Sequence, residues 1–299
     1  MKLINDALVG FVKLLPKSVV HIFAKKYIAG EKLEDAVRVV KELNAKGIAA
    51  TMDVLGEAVN TKAESEQAKN ECFMVLDAIN QHKLNSNLSL KPTQLGLIID
   101  KQFCYEQITS ILEKAKGYNN FVRIDMEDSS TTDATLELHS KLKKKFSNVG
   151  VVVQCYLKRT YYDVEKQNKL GTNYRVCKGI YIEPAEIAFK ERQEVRDNFL
   201  KVLGKILDDG NYVGIATHDD YLVKCAYELL KKKNIPKNKY EFQMLYGVKE
   251  DLRDKIKSDG HKIRIYVPFG EHWYKYSIRR LQENPNMAWY ITKSIFSFK

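Results

Sequence analysis

The amino-acid sequence predicts an α/β fold, a TIM-like (β/α)8 barrel with extra helices at its N-terminus. Short β-branched runs alternate with helical patterns, and this alternation predicts βαβ units around a parallel sheet. Eight such units occupy roughly 250 residues, which is the usual size of this barrel. No dinucleotide-binding glycine motif follows the first strand, and its absence disfavours the alternative, an open doubly wound sheet.

The N-terminal region is expected to be helical. Apolar residues between Leu33 and Leu43 recur at helical spacing, and Gly47 ends that pattern. We expect residues 1–46 to form helices packed on the barrel and residues 47–299 to form the barrel itself. The Lys-flanked apolar segment within residues 1–27 could pack on the barrel or lie on a membrane surface as an amphipathic helix.

Within the barrel, β-branched and aromatic runs predict strands, and apolar stripes of period 3.6 predict helices. The expected strands are 48–53, 88–92, 121–126, 149–156, 174–178, 212–217, 240–245 and 262–267. The expected helices are 61–83, 103–116, 133–146, 162–169, 185–207, 221–233, 251–258 and 273–282. Each strand is thus followed by a helix, as a barrel requires.

Composition narrows the class of protein. The 299 residues carry a formal charge of +11, but there is no basic tail or aromatic-basic repeat, so nucleic acid is not an expected partner. The five cysteines form no CxxC and have no zinc spacing to His, which indicates reduced thiols in a cytoplasmic protein without a metal site. No apolar stretch approaches the roughly 20 residues that cross a bilayer.

Polar side chains stand near the carboxyl ends of the expected strands, where such barrels build their active sites. They are Asp53, Lys91, Asp125, Glu127, Gln154, Arg175, Lys178, Thr217, His218, Gln243 and Tyr266. Asp125 could be a general base, an orienting group or an ion-pair partner. For His218, a hydrogen-bonding role is favoured over metal ligation. The Lys178-Gly179 pair either admits a cofactor close to the backbone or is a plain strand exit.

The stretch Tyr266–Glu283 contains two adjacent arginines. Tyr276, Arg279, Arg280 and Glu283 have the spacing i, i+3, i+4 and i+7, which places them on one helix face. Two guanidinium groups can hold one carboxylate from two sides, with Glu283 orienting them. An ordinary solvated helix face with an i,i+4 pair has the same spacing, so both interpretations stay open at this point.

Several segments together resemble the catalytic domain of the proline dehydrogenase family, in its single-function bacterial form. They are LKPTQLGL, VRIDMED, VVVQCYLKRT, RVCKGIYIEP, ATHD, EFQMLYGV and the closing YxxRRxxE. The resemblance covers nearly the whole chain. It implies a distorted (β/α)8 barrel that binds FAD and oxidises L-proline to Δ1-pyrroline-5-carboxylate by hydride transfer from C5 to flavin N5. It also implies a quinone acceptor, peripheral contact with the inner membrane and possible hand-off of the product to a pyrroline-5-carboxylate dehydrogenase.

The resemblance also suggests a role for individual residues. Asp125 and Arg175 would form the catalytic centre, with Arg175 beside the flavin. Of the roles open to Asp125, orienting Lys91 or a tyrosine is favoured over acting as the base. The residues expected at the substrate are Lys91, Arg279, Arg280, Tyr181, Leu245, Tyr266 and Tyr276. The residues expected at FAD are Met126, Gln154, Arg175, Lys178, Gly179, Ile180, Thr217 and His218.

Two departures and two alternatives accompany these expectations. Ile180 stands where the family usually has a small residue, often Ala, and Cys177 replaces a common Val. Ile180 adds bulk near the flavin without removing a polar contact. The same barrel could act on hydroxyproline or a folate, or it could be a catalytically silent basic barrel that binds anionic partners. Comparing the steady-state turnover of proline and hydroxyproline tests the first alternative. The visible spectrum of the purified protein tests the second, because a silent barrel would lack a flavin band.

Overall fold

The computed structural model describes residues 24, 26–56, 58–274 and 276–278, and the structural statements below concern these residues. Eight parallel strands form a closed barrel in chain order, and the eighth strand pairs with the first to close it. The barrel predicted from the sequence is therefore confirmed over the open sheet.

The strands and helices alternate along the chain. The strands are β1 (Ala49–Val54), β2 (Ser86–Leu90), β3 (Val122–Ile124), β4 (Val149–Gln154), β5 (Asn173–Cys177), β6 (Val213–Ala216), β7 (Tyr240–Leu245) and β8 (Ile263–Phe269). The helices are α1 (Leu33–Ala45), α2 (Lys62–Gln81), α3 (Lys101–Gly117), α4 (Thr132–Lys143), α5 (Thr160–Asn168), α6 (Arg192–Asp208), α7 (Asp220–Lys232) and α8 (Glu250–Ser258). A 3-10 turn, Pro92–Leu95, follows β2.

One predicted helix starts in the wrong place. The helix expected at 185–207 begins at Arg192, and the residues before it form a loop. The backbone of this loop bonds to the β4–α5 connection: Lys158 N donates to Ile187 O at 2.9 Å, and Phe189 N donates to Tyr156 O at 2.8 Å. These bonds satisfy two of the loop's backbone groups without a helix, so tertiary contacts outweigh the local helix-forming pattern.

The inside of the barrel is polar. Neighbouring residues of a strand point to opposite faces. In β1, Met52 is fully buried in the hydrophobic core, whereas Asp53 accepts hydrogen bonds from a lysine. In β3, Ile124 is fully buried in the core, whereas Arg123 donates to Asn173. The hydrophobic core therefore lies between the strands and the surrounding helices, which leaves the inward positions for chemistry.

The two ends of the chain lie largely outside the described residues. Helix α1 buries the apolar stripe predicted for it, but the division at residues 46 and 47 stays a prediction. Helical residues occur at 273, 274 and 276–278, so the predicted closing helix is described only in its first part. Among the described helices, none has the length and apolarity needed to span a membrane.

Candidate active site at the mouth of the barrel

Asp125 is the centre of a buried polar cluster at the carboxyl ends of the strands. It follows β3 directly and is 8% exposed. One carboxylate oxygen accepts hydrogen bonds from Ser89 Oγ at 2.6 Å and Arg175 Nη1 at 2.7 Å. The other accepts one from the Tyr266 hydroxyl at 2.9 Å. Strands β2, β3, β5 and β8 thus converge on one carboxylate.

These partners keep Asp125 ionised. Burial alone would raise the pKa of Asp125, but Arg175 and Lys91 outweigh it and hold that pKa below its usual value. Burial raises the pKa of the Tyr266 phenol well above its usual value, so the phenol stays neutral and donates to Asp125. A carboxylate with a depressed pKa is a weak base, so Asp125 is suited to orienting its neighbours.

Lys91 forms the second ion pair of the cluster. Its Nζ donates to both oxygens of Asp53, at 2.7 and 2.8 Å, and lies 3.9 Å from Asp125. Burial alone would lower the pKa of Lys91, but the carboxylates of Asp53 and Asp125 outweigh it and raise that pKa. Burial raises the pKa of Asp53, and the Lys91 ammonium opposes that rise. Lys91 is therefore a fixed positive charge at the mouth.

Arg175 is held on two of its three nitrogens. Nη1 donates to Asp125, and Nε donates to Gln243 Oε1 at 2.7 Å. The guanidinium lies over the Tyr266 ring, 5.0 Å from its centroid. Nη2 is buried and has no hydrogen-bond partner among the described residues. A buried donor without a partner is costly, so Nη2 indicates a position where a ligand supplies the acceptor.

The segment after β5 passes close to a tyrosine. Gly179 has a φ of +104°, and a Cβ built on it would lie 2.0 Å from Tyr156 Cδ1. Only glycine fits this backbone and this contact. Lys178 pairs with Asp219 at 3.4 Å, Ile180 is 38% exposed, and Tyr181 packs on the small cluster that contains Tyr156. The strand exit is thus a close-packed turn with one exposed apolar side chain.

The remaining predicted site residues lie at the ends of β3, β4, β6 and β7. Met126 is buried directly after Asp125, and Gln154 Nε2 donates to the Glu127 carbonyl at 2.6 Å. Thr217 Oγ1 accepts a bond from the Asp219 amide at 3.1 Å.

His218 and Leu245 are joined directly. Leu245 N donates to His218 Nε2 at 2.9 Å. Because Nε2 accepts this bond, it cannot also ligate a metal or donate a proton. No group of three or more His, Cys, Asp or Glu side chains that could hold a metal occurs in the described part of the chain. His218 thus accepts a hydrogen bond in this structure, and its role at a cofactor stays a prediction.

The arginine pair predicted to hold a carboxylate, here called the carboxylate clamp, lies outside the described residues. Arg279, Arg280 and Glu283 lie outside the described residues, whereas Tyr276 is helical and buried. The role predicted for the three charged residues stays a prediction.

Ser89 was not identified by sequence reasoning. Its inward position follows from β2 alternation, because Leu88 and Leu90 on either side are core residues. Asp53 and Gln243 were recognised only as polar strand ends. Nothing in the sequence signals that Asp53 pairs with Lys91 or that Gln243 holds Arg175.

Comparisons with known proteins agree on one family. A family model described as Proline dehydrogenase matches residues 36–291. Proline dehydrogenase 1 of Bacillus subtilis is 38% identical over 272 residues, which covers 91% of this chain and 90% of that protein. Proline dehydrogenase of Deinococcus radiodurans is 32% identical over 289 residues, which covers 95% of this chain and 93% of that protein.

A solved structure agrees with the sequence comparisons. The crystal structure of proline utilization A (PutA) from Bdellovibrio bacteriovorus, inactivated by N-propargylglycine, aligns with a TM-score of 0.81 and 25% identity. The alignment covers 88% of this chain but only 32% of that one, so this chain spans about a third of that protein.

Proposed function

We propose, on the premise that the chain belongs to the proline dehydrogenase family, that L-proline is oxidised to Δ1-pyrroline-5-carboxylate at the mouth of its barrel. The protein is an oxidoreductase that acts on proline in proline catabolism. The observation that supports this site most strongly is the buried cluster of Lys91, Asp125 and Arg175. Its charges are held in place and largely buried, which suits a small zwitterionic substrate.

FAD is the cofactor that we propose for this site. One feature fits a bound group of this kind: the buried Arg175 Nη2, which has no hydrogen-bond partner among the described residues. Gly179 is also proposed to lie against the cofactor, and the space that its Cβ would need is taken by Tyr156. Further residues proposed to hold FAD are Met126, Gln154, Lys178, Ile180, Thr217 and His218. Bound FAD would accept a hydride equivalent from proline C5 at its N5.

The cationic groups are proposed to bind the carboxylate of proline. Arg279 and Arg280 would grip it as a pair, and the fixed charge of Lys91 would be the third cation. The same positive charges favour the neutral amine, the form that can release hydride, over the ammonium. Fixing the carboxylate aims the opposite side of the ring, and such positioning supplies several kcal/mol towards catalysis. The proposed pocket walls are Tyr181, Leu245, Tyr266 and Tyr276.

Asp125 is proposed to orient Arg175 and Tyr266 rather than to take a proton from substrate. Its depressed pKa and its hydrogen bonds on both oxygens support this role. Arg175 would then stabilise negative charge that develops near its Nη2, which no described residue binds.

Steady-state kinetics and the visible spectrum test this function together. The purified protein should show a flavin band, after addition of FAD if necessary, and should turn over L-proline faster than hydroxyproline. Arg280→Met should weaken proline binding by about 2–4 kcal/mol while flavin content survives. Unchanged proline affinity in this variant would refute the clamp. A protein that never acquires flavin would instead be the catalytically silent barrel.

An inhibitor provides a second test. N-propargylglycine inactivated the Bdellovibrio bacteriovorus protein. It should inactivate this protein in a time-dependent way, and L-proline should protect against it. Absence of inactivation, or inactivation that L-proline does not slow, would count against proline as the substrate.

The electron acceptor and the protein partner are further proposals. A quinone is proposed to reoxidise the flavin, with peripheral contact between the protein and the membrane, and a pyrroline-5-carboxylate dehydrogenase is proposed to receive the product. Proline-dependent reduction of a soluble quinone would support the first. Direct transfer of the product to the dehydrogenase predicts a shorter lag in product oxidation, when the two enzymes are mixed, than the lag calculated for free diffusion.

A further inference from the structure

A buried chain of hydrogen bonds leads to Arg175 from residues deeper in the barrel, nearer the amino ends of β7 and β8. Arg175 Nε donates to Gln243 Oε1 at 2.7 Å, and Gln243 Nε2 donates to Glu241 Oε1 at 2.7 Å. Arg264 Nε donates to the same Glu241 oxygen at 2.7 Å. Arg175, Gln243 and Glu241 are each at most 7% exposed, so water does not compete for these bonds.

The charge of Glu241 fixes the direction of the chain. Burial alone would raise the pKa of Glu241, but Arg264 outweighs it and lowers that pKa, so the carboxylate only accepts. The Gln243 amide must therefore turn its NH2 towards Glu241 and its oxygen towards Arg175. The flipped amide would place oxygen against carboxylate and NH2 against guanidinium, and both contacts would be repulsive.

A glycine makes room for this amide. Gly214 lies in β6 between its register partners, Arg175 on β5 and Glu241 on β7. A Cβ built on Gly214 would lie 2.3 Å from Gln243 Nε2 and 2.7 Å from its Cδ. The nearest atoms belong to the end of a flexible side chain, so an alanine here would displace the amide rather than the backbone.

We propose that Gln243 is a positioning residue for Arg175, with Glu241 behind it and Gly214 giving it space. Gln243 fixes Nε and Asp125 fixes Nη1, which leaves Nη2 as the donor for a bound ligand. This inference rests on the proposed function, because the ligand for Nη2 is taken to be the flavin. It adds Gly214 and Glu241, which lie deeper in β6 and β7 than the strand-end residues predicted from the sequence.

The test uses two single variants and their combination. Gln243→Met keeps a side chain of similar size but removes both the amide oxygen and the amide NH2. Gly214→Ala pushes the Gln243 amide away. Each should raise the dissociation constant for FAD, measured on the flavin-free protein by fluorescence quenching, by about tenfold. The double variant should bind FAD no more weakly than the weaker-binding single variant, because both changes break the same chain of hydrogen bonds.

Kinetics supply a readout that simple destabilisation does not move. Per bound flavin, kcat should fall in both variants, while KM for proline stays within about twofold because other cations are proposed to hold the carboxylate. Gln167→Met is the matched control. Gln167 is also a buried amide, and it bonds Leu136 and Ser140 between α4 and α5. This variant should lower Tm but leave FAD affinity and kcat within about twofold.

The outcomes separate this inference from the proposed function. If wild-type protein binds FAD and both variants match it in FAD affinity and kcat, Gln243 is only structural and the inference is overturned. The inference is also overturned if the fold-increases in the FAD dissociation constant of the two single variants multiply in the double variant. The two changes would then act independently. A wild-type protein that binds no FAD overturns the proposed function itself, and the positioning role with it.

Discussion

Replacing Asp53 by Asn should destabilise the fold through Lys91. Asp53 holds Lys91 Nζ with both oxygens, at 2.7 and 2.8 Å, and its side chain is 1% exposed. Asn retains one acceptor oxygen but removes the counter-charge nearest to a buried ammonium. Breaking a buried pair from one side costs about 3–5 kcal/mol, and the retained oxygen places Asp53→Asn near 3 kcal/mol.

Thermal unfolding near neutral pH measures this cost. In large domains each kcal/mol lowers Tm by about 2–4 °C, so Asp53→Asn should unfold about 6–12 °C below the wild type. Proline KM should also rise, because Lys91 is proposed to bind the substrate carboxylate. A Tm within about 1 °C of the wild type would refute the reasoning, since Lys91 would then not depend on Asp53 for its charge.

Two further variants isolate the buried pair. Asp77 also binds a lysine, Lys114, at 2.8 Å, but its side chain is 47% exposed, so Asp77→Asn should cost only about 0.5 kcal/mol. Lys91→Met removes the buried cation instead. Combined with Asp53→Asn, it should recover part of the lost stability, because a buried charge no longer lacks its partner.

Three more predictions follow from single contacts. Tyr266→Phe removes the 2.9 Å bond to Asp125 and should cost about 1 kcal/mol of stability and lower kcat/KM about tenfold, measured by unfolding and by kinetics. Gly179→Ala should lower FAD affinity at least tenfold in a binding titration, because its Cβ would meet Tyr156 at 2.0 Å. His139 is fully buried, and burial lowers its pKa to about 4, below the ordinary value near 6.5. The unfolded chain therefore binds the proton more tightly, so this contribution is complete above pH 6.5 and falls by about 3 kcal/mol as pH drops to 4, as denaturant unfolding at several pH values should show.

Each of these three predictions has its own comparison. An unchanged kcat/KM in Tyr266→Phe would remove Tyr266 from the site. Gly171 also has a positive φ, +63°, but a Cβ on it would meet no atom within 4 Å, so Gly171→Ala should leave FAD affinity unchanged. Equal losses in both glycine variants would show that backbone strain, not the contact with Tyr156, is responsible. His139→Gln should flatten the pH dependence of stability, and the same slope as in the wild type would contradict the assignment.

The barrel was predictable because its signal is periodic. Strand β7 is found at Tyr240–Leu245, as predicted, since its apolar pattern and its bounding residues are local features. The start of α6 was not predictable in the same way. The residues before Arg192 include good helix formers, but hydrogen bonds to the β4–α5 connection help to hold them in a loop.

The site was predictable by position but not by pairing. Strand ends indicated Asp125 and Arg175, which lie 2.7 Å apart as an ion pair. Lys91 is 2.7 Å from Asp53 but 3.9 Å from Asp125, and no spacing along the chain distinguishes these two carboxylates. Which charges meet inside a barrel depends on strand tilt and register, and both are set by the closed sheet as a whole.

Anaerobic reduction of bound flavin by L-proline tests the central claim most directly. The protein is loaded with FAD, oxygen is removed, and L-proline is added in increments while the visible flavin band is recorded. The account predicts that the band bleaches in a saturable way and returns when a quinone is added. A flavin band that persists at saturating L-proline, yet is bleached by dithionite, would contradict it.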